Sequence, residues 1–70
     1  NKVTCDSKGI AVEDTNKNKI TLSSDGFSIS DSSNNKIVSS SSGLTITDKN
    51  SKKIEMSASG TVINGKLTVL

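Results

Sequence analysis

Glycine recurs at a fixed interval of seventeen residues: Gly9, Gly26, Gly43 and Gly60. Self-similarity at a constant period constrains the architecture more tightly than any local signal, because every unit must fold alike and stack on its neighbours. The units align without gaps as GIAVEDTNKNKITLSSD (9–25), GFSISDSSNNKIVSSSS (26–42) and GLTITDKNSKKIEMSAS (43–59), and each neighbouring pair shares seven of seventeen positions. Asp14, Asp31 and Asp48 coincide, as do Lys19, Lys36 and Lys53, and Ile20, Ile37 and Ile54. Asn1–Cys5 aligns with Asn18–Leu22, so residues 1–8 form a half repeat, as expected of a segment excised from a longer chain. A shortened repeat spans 60–70. Its polar connector is reduced to Asn64-Gly65, a deletion of four residues that preserves the parity of the flanking strands.

Inside each unit the apolar period is two. Ile10 and Val12 alternate with Ala11 and Glu13, and Ile20 and Leu22 alternate with Thr21 and Ser23. Alternation with prominent β-branched residues reads as strand, and no 3.6-residue period is present. Each repeat is therefore predicted to carry two strands of about five residues. A polar connector (Asp14 to Asn18 in the first repeat) joins them. A Ser-Ser-Asp-Gly type turn leads into the next repeat, with the glycine suited to positive φ. Lys66-Leu67-Thr68-Val69 is read as a last strand.

The inward phase selects Val3 and Cys5 from the half repeat and Ile10, Val12, Ile20 and Leu22 from the first full repeat. It takes Phe27, Ile29 and Ile37 from the second, Leu44, Ile46, Ile54 and Met56 from the third, and Ile63, Leu67 and Val69 from the last. Ser39 occupies the slot held by Leu22 and Met56, and Val38 takes an outward slot, which predicts a locally thinner core or a bound water or small ligand, a tolerated polar substitution being the simplest account. With 30% hydrophobic residues and a single aromatic, these side chains are too few to make an independent core. A lone Cys5 permits no internal disulfide, and the absence of His removes imidazole-based zinc sites and Ser-His-Asp chemistry. Oligomerisation is the remaining way to complete the core.

A two-stranded unit with one apolar face is unstable alone. A single-chain β-helix needs apolar side chains from about three walls, whereas this repeat supplies two at most. Three copies around an axis supply the missing walls and pair the exposed strand edges between chains. The expected fold is thus all-β: a 17-residue-repeat β-helix built as an intertwined homotrimeric β-prism. At about 4.8 Å per strand, each repeat advances about 10 Å and the chain spans a rod of about 35 Å. The outer surface of Ser, Thr, Asn, Lys, Asp and Glu suits a mechanical part better than a receptor.

The pattern Gly-hydrophobic-x-hydrophobic-x-Asp-x-x-x-Asn-Lys-hydrophobic-x-hydrophobic-Ser-Ser resembles the C-terminal β-helical needle of contractile injection machines. These are the central tail spike of phages and the related VgrG proteins of type VI secretion. The resemblance covers the whole chain. It implies a homotrimeric, non-catalytic needle that sheath contraction drives through a target envelope, located in a phage tail or on a secreted spike. Many phage spikes of this kind end in an apex with a His-x-His iron site, and this chain, lacking His, does not match that feature. Others end bluntly and seat a conical PAAR-repeat tip protein. The apolar ending Thr68-Val69-Leu70 fits that contact or a truncation.

Other chemistries are less well supported. Asp14-x-Asn16-x-Asn18 resembles the start of a calcium loop but lacks the closing bidentate Glu, and the second repeat does not keep the spacing. Cys5 takes an inward slot and reads as a small buried hydrophobe rather than a reactive thiol. The lysines at 2, 19, 36, 53 and 66 form a solvated ladder, partly neutralised by Glu13, Asp48 and Glu55, in preference to a lipid-binding one. A formal charge of +2, no Arg and one aromatic give no nucleic-acid footprint. The serines at 39–42 have no base to activate them. No enzyme and no cofactor are expected. The alternative to the needle is a passive trimeric fibre or adhesin stalk.

Overall fold

A computed structural model of the chain describes residues 1–70 and is all-β. The strands are β1 (Lys2–Asp6), β2 (Gly9–Glu13), β3 (Lys19–Ser23), β4 (Gly26–Ser30), β5 (Lys36–Ser40), β6 (Gly43–Thr47), β7 (Lys53–Ser57) and β8 (Gly60–Asn64). Each has five residues, two strands to a repeat, as the alternation predicts. They form one open antiparallel sheet in the order β1-β2-β3-β4-β5-β6-β7-β8. Every pairing joins consecutive strands of the same chain. The interior edges expected to pair between intertwined chains are therefore already satisfied within one.

Local turn chemistry explains that outcome. Asp6↔Gly9, Ser23↔Gly26, Ser40↔Gly43 and Ser57↔Gly60 close hairpins with two intervening residues. Those intervening residues keep negative φ, so these are not the primed turns of two-residue hairpins. The glycine that opens the next strand takes up the strain instead, at φ 126 to 140°. In the three full repeats the glycine also lies close to the following strand. A Cβ on Gly9, Gly26 or Gly43 would land on the carbonyl oxygen of Leu22, Ser39 or Met56, whereas one on Gly60 would meet nothing within 4 Å.

The other connections are three-residue loops. The Lys17 N–H donates to the Asp14 carbonyl at 3.2 Å, and the Asp14 N–H donates to the Asn18 carbonyl at 3.1 Å. Asp31–Asn35 and Asp48–Lys52 repeat both bonds. The residue after each β-turn is left-handed: Lys17 at φ 70°, Asn34 at 72° and Ser51 at 67°. This is a turn followed by an αL residue, the usual three-residue hairpin. Asn tolerates αL; in Lys and Ser it costs roughly 1–2 kcal/mol. Lys17→Gly and Ser51→Gly are each expected to raise stability by about 0.5–1 kcal/mol after the entropy of glycine is subtracted, and Asn34→Gly by less. Thermal unfolding of the three variants checks this, and equal or negative effects would refute the assignment.

Odd numbering decides the faces. A five-residue strand starting on the polar face turns three side chains to that face and two to the other. The sheet holds together through its ladder, which supplies 36 of the 42 backbone hydrogen bonds, because no residue is buried. The longest dimension is 41 Å, against the expected rod of about 35 Å. The strand expected over Lys66–Val69 does not form; residues 66–70 follow β8 outside the sheet. The shortened connector has lost the Asp whose carboxylate and backbone close the other loops, and Gly65, at φ 128°, lies beside the Lys52 side chain.

Candidate functional site

The register aligns the inward side chains into two parallel rows. Val3, Val12, Ile20, Ile29, Ile37, Ile46, Ile54 and Ile63 face one another from strand to strand. Cys5, Ile10, Leu22, Phe27, Ser39, Leu44, Met56 and Thr61 make the second row. Neither row contains a charge. Fourteen of the residues expected to be inward thus share one face.

That face is open. Ile20 is 45% exposed, Leu22 47%, Ile29 42% and Phe27 39%. In the central row of the opposite face Thr4, Ala11, Thr21, Ser28, Thr45 and Glu55 are half-buried, while Val38 and Val62 are exposed at 36% and 55%. The apolar side is therefore at least as exposed as the middle of the polar one. Single exposed apolar residues need no explanation, but an uncharged double row, broken only by Ser39 before it ends on Thr61, is the kind of extended apolar patch that interaction surfaces present. A trough of about 640 Å³ runs along the aliphatic row from Val12 to Ile46, bordered by Asp14, Asp31 and Asp48. A smaller, separate hollow that shares Ile46 and Asp48 with it is lined by Ile54, Ile63 and Leu67. Leu67 thus borders the expected core from outside any strand, whereas Val69 and Leu70 are 82% and 115% exposed. Thr68 lies in the same free segment.

The connectors fix the margin of this face. Asp14 Oδ1 accepts from the Asn16 and Asn18 N–H groups, both at 2.9 Å, and Asn18 Nδ2 donates to Asp14 Oδ2 at 2.9 Å. Asp31 does the same with Ser33 and Asn35. In the third repeat Lys52 replaces the Asn, and Asp48 keeps only the backbone bonds from Asn50 and Lys52. Neighbouring connectors are also joined. The Lys49 N–H donates to Asn35 Oδ1 at 2.9 Å, and the Thr15 N–H to Asn1 Oδ1 at 3.2 Å. The calcium-like spacing at Asp14 is thus used up in turn closure, and no cluster of ligating side chains is present.

These bonds hold the carboxylates below the ordinary aspartate range. For Asp14 the main cause is the Asn18 side chain, for Asp31 the Asn35 side chain, and for Asp48 the Lys52 N–H. A carboxyl group whose pKa is lower folded than unfolded stabilises the fold above its unfolded pKa, near 3.8, and that contribution disappears as pH falls through the folded value. Thermal midpoints should therefore drop as pH falls below about 4. Asp14→Asn combined with Asp31→Asn should flatten that drop. An unchanged acid slope would show that the turns are not its source.

Cys5 faces the same side as Ile10, opposite it in the register, and is exposed at the β1 edge, not buried as expected. Lys2, Lys19, Lys36 and Lys53 share one marginal row of the polar face with Glu13, and Lys66 lies outside it. The sequence reading missed the αL residues and the connector-to-connector bonds; Asn34 was the one visible signal for the former. No protein family, curated protein or solved structure matches the chain.

Proposed function

We propose that the chain is one wall of a homotrimeric β-prism, and that the prism is a shaft segment of the non-catalytic needle of a contractile injection machine. The carrying observation is the uncharged double row on a sheet with no buried residue. A five-residue strand is about 17 Å wide, and a triangle of that side has its centre about 5 Å from each wall. That is half the roughly 10 Å between packed sheets, so side chains from three walls meet at the axis without a hole. A two-sheet sandwich of the same width leaves its long sides open to water. In the prism, neighbouring walls meet at corners made by the turns and connectors.

Each chain supplies a complete wall in this arrangement, and the copies need not intertwine. The outer face carries mostly Lys, Glu, Ser and Thr, with Val38 and Val62 its two large apolar residues, which suits passage through an envelope in a phage tail or a secreted spike. A PAAR-type tip protein at Thr68, Val69 and Leu70 belongs to the same reading. Sedimentation equilibrium is expected to give about 22 kDa, three times the 7.3 kDa chain; a folded monomer would overturn the prism. Antibody against the chain should mark the distal tip of a contractile tail in electron micrographs. Labelling along a cell-surface fibre would assign the passive stalk instead.

A further inference from the structure

We propose that Phe27 and Ser39 form a key that fixes the axial register between copies of the chain; this rests on the prism reading above. Rows that repeat every seventeen residues create a problem for a self-assembling wall. A copy shifted by one repeat, about 10 Å, meets nearly the same surface. The aliphatic row offers little resistance, since seven of its positions from Val12 to Ile63 are Val or Ile. The second row is different at one place. The only aromatic residue of the chain and the only polar inward residue between β1 and β7 are direct cross-strand partners, Phe27 and Ser39. Phe27 is 39% exposed on the open face, and Ser39 is half-buried between Phe27 and Leu44.

The occupant that this face fits is a second copy of the chain. The two rows carry no charge, so a partner gains nothing from charge of its own. A partner that matches eight strands at about 4.8 Å spacing must itself present side chains at that pitch, and this sheet does. With all copies in register, three Phe27 rings converge in one layer and three small Ser39 side chains in the next. The overfilled layer expands into the underfilled one. After a slip of one repeat, the rings of one copy lie level with Ile10 or Leu44 of its neighbours, and Ser39 lies level with Leu22 or Met56. Both a clash and a void result, and close-packed interiors tolerate neither. A single polar position that sets register at some expense in stability has a parallel in coiled coils.

The test uses the 70-residue chain with Cys5→Ala as background. One pool carries a spin label at Asn16→Cys and the other a different label at Asn50→Cys; the pools are mixed, unfolded and refolded. These sites lie four strands apart, about 19 Å along the axis, and a one-repeat slip changes that offset by about 10 Å. The background chain should give one inter-pool distance. Phe27→Leu with Ser39→Leu should add components on both sides of it, while the exchange Phe27→Ser with Ser39→Phe should restore a single one. Trimers with a single distance in the double-Leu variant would overturn the key alone, as would several distances in the background chain. Monomeric mass for the background chain would overturn the prism reading instead.

Discussion

Ile20→Asp should abolish assembly, while Lys19→Ala should leave it within about 0.5 kcal/mol. The two residues are neighbours on β3 but face opposite ways: Ile20 pairs with Val12 and Ile29, Lys19 with Glu13 and Ser30. In a prism, the three introduced carboxylates would meet near the axis. Each forfeits about 1.5–3 kcal/mol of aliphatic burial. Each also carries a desolvation penalty of several kcal/mol with no cation available, since neither inward row contains one. In the isolated sheet, Ile20 is 45% exposed, so the same change should do far less to a single wall than to the assembly. Sedimentation and mass photometry read the difference. If the Ile20→Asp chain still forms trimers, the apolar face is not the interface; if Lys19→Ala is equally disruptive, the inward phase is wrong.

The glycine at each repeat boundary gives the second large effect, with an internal control. Gly26→Ala places a Cβ on the Ser39 carbonyl oxygen at a φ of 134°, and Gly43→Ala does so against Met56 at 140°. Backbone strain of about 1–3 kcal/mol is joined by displacement of a ladder carbonyl, for roughly 2–4 kcal/mol in all. Gly60→Ala has comparable φ but no atom within 4 Å, so strain alone remains, about 1–3 kcal/mol. Chemical denaturation of the three variants should rank Gly60→Ala as the mildest. Equal losses would mean that φ alone, and not the approach of the next strand, requires glycine there.

Much of this sheet was legible because alternation and repeat act at short range. Val12, Ile20, Ile29 and Ile37 could be phased from period two alone, and the registers then line them up. Gly26 announced its positive φ, since few other residues adopt it. Lys17 and Ser51 did not, because neither has the αL tolerance that makes Asn34 a signal, and their conformation is imposed by loop length. Lys66–Val69 kept the alternating pattern but lacks the five-residue connector, opened by an Asp that caps the turn, that precedes β3, β5 and β7. Whether interior edges pair within or between chains was hidden, because apolar periodicity specifies which face is covered and says nothing about whose strand lies alongside.

The meander also dictates the order of events in folding. No paired residues are farther apart in sequence than Gly43 and Ser57, fourteen positions. Contact order is therefore low for an all-β chain, and hairpins of this size close in about 1–10 μs. The sheet can lengthen at its leading edge while the polypeptide is still being synthesised. If the proposed prism forms, the sheet's apolar face has no cover until separate copies collide. Backbone pairing would then be unimolecular and core formation a higher-order process, with the slow step of maturation dependent on local chain concentration.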